Sequence, residues 1–309
     1  MRFREKALAV KMETVYGTDP TPAIGTNDIL VMKDMEVTPI EQDEVRRDVV
    51  KAYKGQDAIL PTNAKARIRG AVELAGSGTA GDAAPYGSLL RACGLAETLV
   101  SETSAAYEPV STAEESAAAY FYRGANLHKL LGMRGDVSLQ FQAGQIPRFN
   151  FDMLGLYSPV TNATFRTTMD YDAFVAPLHA NDANTTFSLF GLSAVLESLT
   201  LNLGNQVAER SLVNSRTIEL PDRASTGEAV IEVPAIGTKD YFGILVAGTT
   251  GVLSAVHGTV AGNIVTLGCP AVQLNGQPSY SENNGILHMR LPFILLPDEG
   301  DDEIAITLT

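Results

Sequence analysis

One stretch matches a cofactor-binding pattern in both residue type and spacing: Gly76-Ser77-Gly78-Thr79-Ala80-Gly81. It is a GxGxxG run after a predicted strand and before a predicted helix, with Glu97 and Glu102 downstream. In a dinucleotide fold such glycines let the main chain approach a pyrophosphate seated on a helix N-terminus. Here the helix starts only after Asp82-Ala83-Ala84-Pro85 and is short, so its N-terminus is displaced from the glycines, and no βαβ repeat follows. The run also lacks the Lys-Ser/Thr ending of a P-loop. The glycines are read as a flexible surface loop.

The other reactive residue types form no constellation. His128, His179, His257 and His288 fall in different predicted elements without HxH, HxxxH or HExxH spacing, so no metal site is expected. Cys93 and Cys269 lie far apart without a CxxC partner and are expected to be buried thiols. No GxSxG elbow supports a Ser–His–Asp triad. Glu114-Glu115 and Asp301-Asp302-Glu303 are neighbours in sequence, which point apart on a strand, and are read as solvated faces. The run from Asp298 to Glu303 lacks the EF-hand ligand order. A chain with no tryptophan also lacks the flat ring platforms of a sugar-binding sandwich. No cofactor is expected and an enzyme is not.

These side chains sit in a chain of 309 residues, 45% hydrophobic and 19% charged, a composition that folds and is long enough for two domains of ordinary size. Its formal charge of −13, from 23 basic and 36 acidic residues, opposes binding to nucleic acid or to an anionic membrane. The densest basic spots, Arg46-Arg47 and Arg67-Ile68-Arg69, lie among acids. The charged start Met1-Arg2-Phe3-Arg4-Glu5-Lys6 offers no secretory segment, and no apolar run is long enough to span a bilayer. The expected place of synthesis is a cytoplasm.

The elements are mainly short strands bounded by Gly, Pro, Asn and Asp. Period-two alternation is visible from Ala66 to Leu74 and from Asp136 to Phe141. Further strands are expected at Ile29 to Thr38, Ala118 to Tyr122, Ile146 to Tyr157, Ala194 to Leu203, Glu228 to Val233, Val252 to His257, Ile264 to Cys269 and Ile286 to Leu296. Two short helices are expected, Pro85 to Gly94 and Thr238 to Gly248, each closing on glycine.

The helices and their flanks correspond to one another. Ala71-Val72-Glu73-Leu74 precedes one and Val230-Ile231-Glu232-Val233 the other, while Met32 to Val37 upstream echoes Leu196 to Leu201. Tyr122 to Met133 parallels Val260 to Cys269, and Val137 to Tyr157 parallels Val272 to Leu296. The element order is that of an internal duplication. Two tandem β-sandwich or barrel domains are expected, each with one short flanking helix: residues 1–160 with an N-terminal arm, a linker over 161–184, and residues 185–309.

Four runs then resemble one family: Tyr16-Gly17-Thr18-Asp19-Pro20-Thr21-Pro22, Val72 to Gly81, Tyr86 to Thr98, and Gly285 to Pro297. Together they are similar to major tail tube proteins of long-tailed, non-contractile bacteriophages, over nearly the whole chain. The resemblance implies a structural virion protein whose rings stack into a hollow tube for DNA delivery. It implies no catalytic residue. A two-lobed subunit would close a six-lobed ring as a trimer. Implied partners are other copies of the chain and the tape-measure, tail terminator and tail tip proteins; phage DNA would pass through the lumen without specific binding, and no membrane is involved.

Contacts between stacked rings are expected from the N-terminal segment Met1 to Asp28 and from two charged, loop-like segments, Glu41 to Thr62 and Asn205 to Thr226. The candidates are Glu41, Asp43, Arg46, Arg47, Lys51, Tyr53 and Lys54 in the first and Gln206, Glu209, Arg210, Asn214 and Arg216 in the second. The alternatives are a capsid decoration or adhesin-like β-sandwich binding module, and a β-sandwich hydrolase. A hydrolase would need a deep pocket with two carboxyls of raised pKa. Tube formation that grows with concentration would favour the tube over both.

Overall fold

The computed structural model describes residues 6–23, 28–47, 49–163 and 171–309. In chain order its elements are β1 (Lys6–Met12), β2 (Ile29–Leu30), β3 (Lys33–Arg46), β4 (Ile59–Glu73), α1 (Gly87–Ala92), β5 (Leu95–Val100), β6 (Ser104–Pro109), β7 (Ala117–Arg123), β8 (Asn126–Gln142) and β9 (Arg148–Asn162). The second half holds β10 (Thr185–Leu189), β11 (Leu196–Asn202), β12 (Ala208–Leu212), β13 (Ser215–Glu219), β14 (Thr226–Glu232), α2 (Tyr241–Ala247), β15 (Thr250–His257), β16 (Val265–Leu274), β17 (Ser279–Asn283), β18 (Ile286–Leu296) and β19 (Ala305–Leu308). The fold is mainly β, a sandwich with two short helices.

Alternation fixes which face of each strand is buried. On β9, Phe149, Phe151 and Met153 are buried while Arg148, Asn150 and Asp152 turn outward. On β8, Val137, Leu139 and Phe141 point the same way as the β9 aromatics, and the rings of Tyr86, Phe149 and Phe151 meet at centroid distances of 5.4 and 6.1 Å. Burying each such side chain contributes about 1.5–3 kcal/mol. Both helices stop where expected: Gly94 (φ 77°) follows α1, and Gly248 (φ 63°) caps α2 in the left-handed region that glycine enters without strain. Asp240 accepts a hydrogen bond from the Gly243 N–H at the start of α2.

All pairings are antiparallel, and the order of strands recurs. In the first half it runs β1–β7–β8–β9–β4–β3. In the second it runs β10–β15–β16–β18–β14–β11, with α1 and α2 at matching points in the chain. The long strand β8 carries a register shift at Leu131/Arg134 beside Gly132 (φ 56°); its counterpart is broken between Leu274 and Ser279 into β16 and β17. Two seams join the halves edge to edge: β8 pairs β11 through Leu139 opposite Leu201, and β6 pairs β19 through Tyr107 opposite Ile306.

Two sequence expectations change. The N-terminal segment is not wholly an arm, because β1 pairs along its length with β7 and buries Leu8, Ala9 and Val10; residues 1–5 and 24–27 lie outside the described residues. Its uninterrupted Ala-Leu-Ala-Val run is that of a strand covered on both faces, which carries no alternation to detect. The segment from Asn205 to Thr226 is a hairpin, β12–β13, turning at Asn214 (φ 66°). In the linker, Ala180 exchanges main-chain hydrogen bonds with Gly144 and Gln145, and Phe174 packs on the core; residues 164–170 lie outside the described residues.

Candidate self-association surface

The seam between β8 and β11 makes one sheet of eight strands in the order β17–β18–β14–β11–β8–β9–β4–β3. Its inner face supplies core: Ile68, Val72, Phe149, Phe151, Leu139, Phe141, Leu199, Leu201, Ile231, Met289 and Leu291 are all buried. Its outer face carries short polar side chains, among them Ser138, Gln140, Asn150, Ser198, Thr200, Asn202 and Ser281. Arginines stand among them with partners. Arg67 and Arg69 both reach Asp152 (3.1 and 3.0 Å), Arg290 lies 3.3 Å from Glu228, and Arg148 donates to the Gln140 side-chain oxygen at 2.9 Å.

Burial holds the Asp136 carboxyl above its ordinary range, although it accepts hydrogen bonds from the main-chain N–H groups of Asn205, Val137 and Gly204. It sits where the Gly204-Asn205 turn crosses β8. Among the described residues no group of His, Cys, Asp or Glu could hold a metal ion.

The first candidate segment is an exposed hairpin arm formed by the distal part of β3 and the start of β4. Glu41 pairs with Arg67, Asp43 lies near Lys65 and Asn63, and Arg46, Arg47 and Lys54 are exposed. Lys51 pairs with Asp57 and stands over the Tyr53 ring. Along the same arm Ile40, Val45, Val50, Tyr53 and Leu60 are exposed, an apolar surface of the kind that monomers bury in contacts.

The second segment divides. Gln206, Arg210 and Asn214 face solvent, whereas Glu209 is held between Lys65 (3.2 Å) and Arg216 (2.7 Å), and Arg216 donates to the Ala64 carbonyl. Glu209 and Arg216 thus tie the β12–β13 hairpin to β4. Sequence reasoning passed over the buried Arg134 and the Tyr16 hydroxyl, which hold that hairpin to β8. Tyr16 opens one of the runs that carry the family resemblance, but nothing in that run or around Arg134 marks either side chain as a tether.

The GxGxxG run is docked, not a flexible surface loop. The Gly76 N–H donates to the Asn263 side-chain oxygen (2.7 Å) and the Gly78 N–H to the Gly262 carbonyl (2.8 Å). Donors that a phosphate would need are committed to the turn before β16. Both thiols are buried as expected, and burial pushes Cys269 up to about 12.

His257 ends β15 and is buried, its ring nearly perpendicular to that of Phe141 with centroids 5.6 Å apart; its Nδ1 lies 2.8 Å from the Thr185 hydroxyl and its Nε2 3.3 Å from the Leu178 carbonyl. Burial, with His179 nearby, lowers its pKa below the ordinary 6.5. The unfolded chain therefore takes up the proton first, and stability falls as pH drops below about 6.5, levelling off once the folded form is also protonated. The expected result is a urea midpoint that declines between about pH 7 and about pH 5 in the wild type and declines less in His257→Gln. Parallel pH profiles for the two proteins would show that His257 is not the cause.

A model of the family described as phage tail tube protein matches residues 4–294 of the chain. No curated protein compared with the chain matches it.

Proposed function

Since this chain belongs to the phage tail tube protein family, a family of structural virion proteins, we propose that it is the major tail tube subunit of a long, non-contractile tail. In this reading residues 1–160 and 185–309 are two copies of one β-sandwich domain joined by 161–184. Copies close into rings of three, and stacked rings enclose the channel for phage DNA. The observation that carries the reading is the eight-stranded sheet, polar on one face and unpaired at both end strands, β17 and β3, among the described residues. A sheet with two open edges propagates by adding copies of itself. Assembly would take place in the host cytoplasm, with the tape-measure, terminator and tip proteins bounding the tube.

The outer face of that sheet is the surface proposed to line the bore. Duplex DNA presents about one negative charge per 1.7 Å of axis, so a free guanidinium there would hold it. Asp152 between Arg67 and Arg69, with Glu41 beside Arg67, offsets the charge of these two guanidiniums. Tubes of Asp152→Ala are expected to retain duplex DNA in a salt-sensitive way while wild-type tubes do not; equal retention would remove this face from the bore.

Negative-stain microscopy of the purified protein tests the whole reading, with tubes expected at increasing concentration. An image with six chains per ring would overturn the trimer. The arm from Glu41 to Thr62 is proposed to reach the stacked ring, so a variant lacking residues 42–56 is expected to stay folded and soluble without forming tubes. Normal tubes from that variant would remove the arm from the stacking contact.

A further inference from the structure

The seam inside the chain specifies a second seam between chains. Resting on the reading of the protein as a ring-forming subunit, we infer that β17 of one copy pairs antiparallel with the Lys33–Thr38 stretch of β3 of the next copy, in the register with which β8 pairs β11.

The equivalence is set by main-chain partners. Leu139 on β8 is opposite Phe149 on β9, which is opposite Val72 on β4; Tyr280 on β17 is opposite Met289 on β18, which is opposite Ile231 on β14. A matching pair of hydrogen bonds closes each unit, from the Leu74 N–H to the Pro147 carbonyl and from the Val233 N–H to the Leu287 carbonyl. Tyr280 therefore holds the place of Leu139. On the other side, Glu228, Gly227 and Thr226 face Thr200, Leu201 and Asn202, as Arg69, Ile68 and Arg67 face Glu36, Val37 and Thr38. Val37 holds the place of Leu201.

Carried over, Leu139 opposite Leu201 becomes Tyr280 opposite Val37, and Gln140 opposite Thr200 becomes Ser281 opposite Glu36. Both strands stand ready. Every residue of β17 is exposed and its outer edge has no strand partner among the described residues, nor has that of β3. Leu139, covered in the internal seam, is 2% exposed, and Tyr280 is 59% exposed. The Tyr280 ring lies 6.4 Å from Phe242 on α2, where Val246 is also bare, while α1 buries Leu89, Leu90 and Ala92. Beyond the paired stretch the incoming copy carries Ile40, an exposed apolar residue for that patch. The occupant is a second copy, because only it brings the β3 edge in the register that β11 already uses.

The main-chain bond from the Leu203 N–H to the Val137 carbonyl places Leu201 and Leu139 in a hydrogen-bonded pair, so Glu36 and Ser281 would form a non-bonded pair. Cα atoms of such a pair are about 4.5 Å apart, within disulfide reach. Both residues are exposed, and the two native thiols are buried and do not compete.

Oxidised tubes of the double variant Glu36→Cys with Ser281→Cys are expected to give covalent multimers closing at three chains, and Glu36→Cys with Glu282→Cys, on opposite faces, none. As a second readout on the unaltered protein, amide exchange at Tyr280 and Glu282 is expected to slow on the order of a hundredfold from free subunit to tube. Tubes without the in-register cross-link and without that protection would overturn the seam and leave the tube reading intact. Failure of the wild type to form tubes, with no cross-link in solution, would overturn both. Cross-linked multimers without tubes would keep the seam and remove the tube.

Discussion

Replacing Arg134 with alanine is expected to lower the unfolding free energy of the free subunit by about 3–5 kcal/mol, since each buried acceptor left without a donor costs about 1–3 kcal/mol. Arg134 is 8% exposed and uses its whole fork. It donates to the carbonyls of Glu114 (2.6 Å), Glu115 (3.2 Å) and Ile218 (3.0 Å) and to the Glu219 carboxylate (2.9 Å), with the guanidinium 5.4 Å from the centre of the Tyr16 ring. Glu219 is more than a third exposed, so water screens its charge and the ion pair is the smaller part. The larger part is three main-chain acceptors left without a donor in a site that water does not readily fill. Lysine keeps the charge but has no planar fork, so Arg134→Lys should recover a minor fraction. Urea titration of wild type, Arg134→Lys and Arg134→Ala checks the order. A loss below about 1 kcal/mol for alanine would mean the β12–β13 hairpin is held mainly by Tyr16, Lys65 and Glu209.

The same residue shows what a sequence can and cannot disclose. Strands such as Arg148–Asn162 announce themselves because a half-buried strand must alternate, and the helices because proline and glycine bound them. The likeness between Met32 to Val37 and Leu196 to Leu201 was legible for the same reason, since both stretches alternate against the same kind of core. The seams were not legible. Pairing of β8 with β11 is made by main-chain groups that every residue carries, so the alternation of Ser138 to Gln142 marks a strand without saying which edge it meets, and Ser279 to Asn283 is a strand whose outer edge meets none among the described residues. The difference lies in what happens to be opposite, and burial of Leu139 against exposure of Tyr280 shows it only once the fold is known. The arm was read from its charges, but Glu209 and Arg216 in the second segment turn those charges inward, to Lys65 and the Ala64 carbonyl.

The glycine motif gives the sharpest case of a pattern whose spacing was right and whose purpose was different. A Cβ at Gly76 would lie 2.1 Å from the Gly262 carbonyl oxygen and 2.7 Å from the Asn263 Cα. A Cβ at Gly262 would lie 2.4 Å from the Gly78 oxygen. The opposing atoms are main chain, so no rotamer change relieves the contact, and the loop must move away from the turn before β16. Gly76→Ala is therefore expected to combine an overpacking cost of about 1–3 kcal/mol with loss of the hydrogen bonds from the Gly76 N–H to the Asn263 side chain and from the Gly78 N–H to the Gly262 carbonyl, worth about 1 kcal/mol each. Gly237 has open space around its Cβ and no positive φ, so Gly237→Ala should stay within about 0.5 kcal/mol of wild type and serves as the control. Amide exchange in the region of Gly78 and Gly262 should rise in Gly76→Ala and not in Gly237→Ala. Equal stability of the two variants would show that the close approach is not what the glycines are for. A nucleotide that stabilised the wild type and not Gly76→Ala would return the motif to its phosphate-binding reading, since the ligand would have to take the N–H groups of Gly76 and Gly78 from Asn263 and Gly262.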